Sequence, residues 1–268
     1  RATELLEGLP LVQGASFTYG IGTLPGALVD NIFVAKGANS VLQGFESISG
    51  QINVELKSPE KAEPLLLNAY VNSFGERHAN VVAAVPLGRS WRTLGALHVV
   101  HPAGKVDRDG DRFLDLPRLT RYSWFQKFHY GDPAKNGWSS RSGFRYVDER
   151  RIGGQTFFRP QTDEGATSAY GQTVRIRQPE LFTKTGFRFD ERRRIALLAS
   201  AFHHAQESWF GITRYTAEQT SLYANLQYEY TWGNNHDLKA GVSYRHQDLN
   251  EDILFTDNSL QRNFDGAY

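Results

Sequence analysis

The stretch SLYANLQYEYTW, Ser221 to Trp232, sorts by parity into two chemically different sets. Leu222, Ala224, Leu226, Tyr228, Tyr230 and Trp232 hold the even positions; Ser221, Tyr223, Asn225, Gln227, Glu229 and Thr231 hold the odd ones. Successive side chains of a strand point to opposite faces, so this period of two predicts a strand with one dry face and one wet face. After the turn WGNNHD the pattern resumes, with Leu238, Ala240, Val242 and Tyr244 alternating with Lys239, Gly241, Ser243, Arg245 and Gln247. A tight hairpin between the two runs puts the odd-numbered sets on one face and brings Glu229 near Lys239.

Earlier segments repeat the theme less cleanly. Tyr122, Trp124, Phe128 and Tyr130 alternate with Arg121, Ser123, Lys127 and His129, and Trp138, Phe144 and Tyr146 alternate with Ser139, Arg141, Gly143 and Arg145. About nine antiparallel strands are expected, at 65–74, 77–86, 91–101, 120–131, 138–149, 171–189, 194–210, 214–232 and 236–250. Short turns at 87–90, 132–137, 190–193 and 233–235 interleave with longer connections at 102–119, 150–170 and after about 251. Short turns on one side and long loops on the other mark an outer-membrane barrel, although the connections near Gly75 and Gly211 are brief for the loop side. Trp91, Tyr130, Trp138, Tyr230 and Trp232 sit at strand ends, where an aromatic girdle meets the membrane interface. A soluble β-sandwich is the competing reading, but its strands usually run about 5–6 residues and these are about twice that.

Composition agrees with a β-rich chain. Of 268 residues, 13% are aromatic and 40% hydrophobic, a load that packs well on pleated surfaces. The near balance of 30 Lys+Arg against 29 Asp+Glu gives no electrostatic reason to expect a nucleic-acid partner. Absence of Cys excludes disulfides and thiolate metal sites. No apolar run reaches the roughly 18 residues of a membrane helix, which leaves barrel strands open.

Val29 to Glu60, VDNIFVAKGANSVLQGFESISGQINVELKSPE, resembles the C-terminal half of the plug of TonB-dependent outer-membrane receptors. In that family a strand leads to a Lys/Arg-Gly pair, a short helix, a Gly turn and a G-x-I-N strand; here these read IFVAKG (Ile32 to Gly37), ANSVLQG (Ala38 to Gly44) and SGQINVELK (Ser49 to Lys57). LLEGLPLV (Leu5 to Val12) is similar to the family's strand-turn element, with Glu7-Gly8 in place of the usual Asp-Gly. The wording GFESISGQIN looks closest to receptors of the Bacteroidota. Lys36, Gly37, Gly44, Gly50, Ile52 and Asn53 form the plug motif and are structural: the glycines sit at changes of element, and Ile32, Val34, Ile52 and Val54 alternate as half-buried strand positions.

The resemblance implies an all-β membrane barrel, present in part, preceded by part of a small α+β plug. The expected division is 1–58 for the C-terminal plug, 59–64 for a linker and 65–268 for the first barrel strands. Sheets in lipid must close, and plugged barrels have about 22 strands, so the chain is expected to be a piece of a longer protein, incomplete at both ends. It also implies active uptake across the cell outer membrane, driven by a TonB-ExbB-ExbD-type complex, with outer-membrane lipid around the wall and a small-molecule ligand as cargo. A metal ion or siderophore-like metal chelate is the favoured cargo; a glycan importer with a surface lipoprotein lid is the rival. A passive porin and a soluble β-rich adhesin are the readings from other classes.

No grouping of nucleophile and base points to an enzyme, and no cofactor is expected. His203 and His204 adjoin on a strand and face opposite ways, so they cannot chelate one metal together. DRDGDRFLD carries Asp107, Asp109, Asp111 and Asp115, a spacing that partly fits a hard cation such as Ca²⁺ in an extracellular loop and also fits a solvated acidic turn. Arg121, Lys127, His129, Arg141, Arg145, Arg175 and Arg177 are expected to face the lumen, because an Arg or Lys facing lipid costs about 2–4 kcal/mol at the midplane. They form either a basic wall that attracts an anionic ligand or one half of structural ion pairs with plug and wall carboxylates.

Overall fold

Glu7 and Gly8 both have positive φ, 57° and 71°, and turn strand β1 (Thr3–Leu6) back onto β2 (Leu9–Val12). Two-residue hairpin turns with this backbone match the twist of the flanking strands. Glycine adopts it freely, whereas a Glu there is uncommon. Glu7 is held by its carboxylate, whose Oε1 accepts the Leu56 N–H at 2.8 Å. The computed structural model describes residues 3–18, 20–37, 50–233, 236–255 and 261–267.

β1 runs parallel to β4 (Gln51–Leu56), and β3 (Val29–Ala35) pairs antiparallel with β4, giving a sheet of order β2-β1-β4-β3. Three short 3-10 turns at 14–18, 21–23 and 26–28 carry the chain from β2 to β3. Gly50 has φ 105°, and a Cβ there would stand 2.8 Å from the Ala35 carbonyl oxygen, so the close approach of the β3 and β4 ends requires glycine. Asn53 Oδ1 accepts the Gly8 N–H at 2.7 Å and ties β4 to the β1–β2 turn. Lys36 is exposed and Gly37 has φ 81°. Gly44, and the ANSVLQG segment expected as a short helix, lie outside the described residues. Ile52 is half-buried and Val54 fully buried, but Ile32 and Val34 are exposed rather than half-buried, because β3 is the sheet's edge and is open along most of its length.

The second sheet has ten strands, each paired antiparallel with its sequence neighbour: β5 (Leu65–Val71), β6 (Arg77–Pro86), β7 (Trp91–His101), β8 (Arg118–Tyr130), β9 (Gly137–Gly154), β10 (Gly171–Arg188), β11 (Arg193–Phe210), β12 (Thr213–Trp232), β13 (His236–Phe255) and β14 (Gln261–Ala267). β14 adds one to the expected nine. In the β12–β13 hairpin, Leu226 pairs with Val242 and Glu229 with Lys239, whose side chains meet at 3.4 Å. Connections at 87–90, 131–136 and 189–192 lie at one end of the sheet; those at 72–76, 102–117, 155–170 and 211–212 lie at the other. The two longest are knitted together. Phe113 bridges Gln155, the Thr156 N–H bonds the Arg112 carbonyl at 2.8 Å, and Lys105 Nζ reaches the Thr156 carbonyl at 2.6 Å. A short helix, α1 (Pro160–Asp163), sits in the second loop.

The two faces of this sheet differ. On the outer face Leu226 is 47% and Val242 76% exposed, and Leu97, Trp124, Leu181 and Leu222 join them. Trp91 packs on Tyr130 at 4.8 Å and Trp138 on Phe187 at 5.1 Å at the short-turn end, as an interfacial girdle does. On the inner face Val82, Ala84, Leu94, Ala96, Phe125, Phe182 and Phe202 join Leu6, Leu9, Leu11, Leu28, Val54 and Leu56 of the small sheet in one core. Each fully buried Leu or Val contributes about 1.5–3 kcal/mol, so apolar packing glues the small sheet to the wall.

Candidate functional site

Odd-numbered residues of β8 and β9 point to the small domain, and Arg121, Lys127, His129, Arg141, Arg145 and Arg151 share that parity. Lys127, 3% exposed at its side chain, sends Nζ to Glu7 Oε1 at 2.9 Å and to the Leu56 carbonyl at 3.3 Å. Arg145, 1% exposed, donates from Nε to Glu180 Oε2 at 2.7 Å and from Nη1 to Thr23 Oγ1 at 2.9 Å. Arg121 donates from Nε to Glu149 Oε2 at 2.5 Å, and Glu149 also takes Arg151. His129 Nδ1 meets Glu60 at 2.8 Å, with Arg141 Nη1 3.1 Å from the same ring nitrogen. Each of these side chains except Arg141 meets a carboxylate among the described residues, so the arrangement is a set of buried polar pairs across and within the wall rather than a bare positive surface.

Arg175 and Arg177 are a correction to the expected lumen set. Arg177 pairs in register with Asp148 and Gln178 with Val147, so the inward residues of β10 are the even ones, Ile176, Gln178, Glu180 and Phe182. Arg177 stands on the outer face with its side chain 76% exposed, 3.9 Å from Asp148. Arg175, on the same parity, pairs with Glu164 at 3.0 Å and Glu207 at 3.5 Å. The physical reason is strand length. At about 3.3 Å per residue and about 40° of tilt, the 18 residues of β10 rise roughly 45 Å, against an apolar band about 25 Å tall. Arg175 and Arg177 lie near the loop end, where an outward charge costs about 0–1 kcal/mol.

Sequence reasoning missed the partners: Glu7, Thr23, Glu60, Glu149 and Glu180. Lys184, on the inward parity of β10, also reaches the Glu7–Gly8 turn, where a Cβ on Gly8 would stand 3.5 Å from its Nζ. Glu149 and Glu180 share the inward face with the arginines and were open to discovery by parity; the others come from distant sequence. A cleft of about 880 Å³ opens at the short-turn end between Glu7, Glu55, Glu60, Lys127, His129 and Arg141. Burial works to raise the Glu60 carboxyl, but the hydrogen bond with His129, its own backbone N–H and the charges of His129 and Arg141 hold it below the usual glutamate value. His203 and His204 face opposite ways: His203 meets Thr220 at 3.0 Å outside and His204 meets Gln178 at 2.6 Å inside.

In the 102–117 loop, carboxylate oxygens of Asp107, Asp109 and Asp115 converge within 4.8 Å, while Asp111 is not part of the group. These side chains already cap the loop's own backbone. Asp107 accepts the N–H groups of Gly110 at 2.8 Å and Arg112 at 2.9 Å, Asp111 accepts that of Phe113 at 2.7 Å, and Asp115 that of Arg108 at 3.1 Å. The arrangement accounts for itself as an acidic turn stitched by backbone donors.

No protein-family profile matches the chain, and no curated protein sequence matches it. Solved structures do resemble it. The siderophore receptor PiuA of Acinetobacter baumannii superposes with a TM-score of 0.68 at 11% identity, covering 94% of this chain and 38% of that one. The pyoverdine outer-membrane receptor FpvA of Pseudomonas aeruginosa, bound to pyoverdine, gives 0.68 at 15% identity, covering 100% and 42%. The ferric yersiniabactin uptake receptor FyuA of Yersinia pestis gives 0.64 at 15%, covering 95% and 41%. The chain thus spans about two fifths of the length of these neighbours. They are receptors and transporters rather than enzymes; they lend no support to the Bacteroidota detail or to a glycan importer. With its small sheet seated against the inner face of a long antiparallel meander, the chain has the fold of the TonB-dependent outer-membrane receptors, spanning plug and barrel wall.

Proposed function

We propose that this chain belongs to a TonB-dependent transporter that takes up a metal chelate of the siderophore type across the outer membrane. The observation that carries the reading is the buried ion pair between plug Glu7 and wall Lys127, joined by the Arg145–Thr23 bond. A plug fastened to the wall by charges out of water blocks passive flow, and releasing such contacts takes work. A plug held in this way favours an energised transporter over an open porin. The fold likeness to chelate receptors supports the cargo class. In this reading the ligand is captured at the long-loop end, and a TonB-ExbB-ExbD-type complex pulls on the plug from the short-turn end. The inner wall then presents its cations to an anionic chelate as plug contacts are exchanged.

The test is uptake of radiolabelled ferric chelates by cells with and without the gene, in iron-limited medium, with the proton gradient intact or collapsed. Uptake that needs both the gene and the gradient is expected. Gene-dependent uptake that survives collapse of the gradient indicates a porin, and growth indifferent to every metal chelate overturns the cargo class.

A further inference from the structure

We propose that His78 and His98 form a binding site for a first-row divalent transition metal on the inner wall near the long-loop end. His78 is the second residue of β6, just after the 72–76 turn, and His98 lies on the neighbouring β7 with its side chain inward and 4% exposed. Nδ1 of His78 and Nε2 of His98 are 3.3 Å apart. Two imidazole nitrogens bound to one tetrahedral metal at about 2.0–2.1 Å are separated by about 3.3–3.4 Å.

Proton bookkeeping points the same way. Glu76 Oε1 lies 2.9 Å from His78 Nε2, so an ionised Glu76 fixes the His78 proton on Nε2 and leaves Nδ1 as a lone pair. If Nε2 of His98 supplies the shared proton, its Nδ1 is left as an acceptor. That atom is buried with no hydrogen-bond partner among the described residues, and so is Oδ1 of Asn80, the residue directly paired with His98. Orphaned buried acceptors cost about 1–3 kcal/mol each. A metal in place of the shared proton lets both facing nitrogens act as lone-pair donors, with the His98 proton on Nδ1.

Glu76 then plays the part of the carboxylate that orients a ligating histidine. The nearby positive group, Arg121, is neutralised by Glu149. His78 is part-exposed, so its side of the pair is open to solvent. The inference goes beyond the uptake reading and stands or falls separately from it.

The test uses the full-length protein, purified in detergent and checked for folding by heat-modifiable gel mobility. Titration with Co²⁺ is expected to give visible d–d absorption at one equivalent, displaced by Zn²⁺ and more tightly by Cu²⁺. His98→Ala and His98→Gln should both abolish the bands, and Glu76→Gln should weaken binding about 10–100-fold. Asp107→Asn should leave the bands unchanged. Folded wild type that takes up no Co²⁺, or bands that persist in a folded His98→Gln variant, overturns the proposal whatever the outcome of the uptake assay.

Discussion

Lys127 of the wall and Glu7 of the plug, separated by 120 positions, share a buried contact of 2.9 Å, and the same Glu7 oxygen accepts the Leu56 N–H. One carboxylate therefore closes its own turn, caps the end of β4 and docks the plug. Lys127→Ala is expected to loosen docking by about 3–5 kcal/mol, because Glu7 is left charged and out of water. Glu7→Gln keeps an oxygen for both donors and should cost less than Lys127→Ala. The charge swap Glu7→Lys with Lys127→Glu should not rescue, since an ammonium cannot accept from Leu56. Hydrogen exchange of the β1 and β4 amides in detergent reads all three; a Lys127→Ala plug as protected as wild type removes the latch.

Thr23 is the second plug contact to a wall cation. Its Oγ1 accepts from Arg145 and donates to the Gly20 carbonyl at 2.7 Å, so the hydroxyl does work in both directions. Thr23→Val keeps the shape but orphans one guanidinium N–H, for an expected loss of about 1–3 kcal/mol. Thr23→Ser should behave as wild type. Thermal release of the plug, followed by protease cleavage, separates the two variants; equal release temperatures would show that the bond carries no docking energy.

Alternation made the barrel legible. Leu226, Tyr228 and Val242 stand outward, as their parity required, because a wall between lipid and a filled lumen imposes a period of two on every strand it contains. Parity worked less well in β10, where charged residues occupy both faces beyond the apolar band and sign no longer reports direction. The plug partners were hidden for another reason: Glu7 and Lys127 meet through tertiary packing, which leaves no mark at either local sequence. The pairing of His78 with His98 needed the β6–β7 register, which segments without clean two-face separation do not disclose.

Placement of the apolar band predicts opposite outcomes at two outward positions of one strand. Leu181 is exposed among apolar neighbours, and Arg177 stands four residues nearer the loops. Leu181→Arg should cost about 2–4 kcal/mol and lower the amount of heat-modifiable barrel in outer membranes. Arg177→Leu should assemble normally and leave uptake unchanged, as it removes only a solvent-exposed pair with Asp148. If Leu181→Arg assembled as well as wild type, the band would have to be drawn elsewhere on the wall.

The contact of Glu60 with His129 should respond to acid in a defined direction. Glu60 titrates below its ordinary value of 4.5 because, against the opposing effect of burial, the bonds from His129 and its own N–H favour the ionised form. A carboxyl depressed in the folded state contributes stability that is complete above its unfolded value and is lost as pH falls through the folded one. The share of 59–64 protection from protease or hydrogen exchange that Glu60 carries, wild type minus Glu60→Gln, should therefore be flat from neutral pH down to about 5 and decline only in more acidic buffer. Glu60→Gln should lower protection at neutral pH and flatten the acid limb. A difference between wild type and Glu60→Gln that vanished already between pH 6 and 7 would contradict the assignment to Glu60.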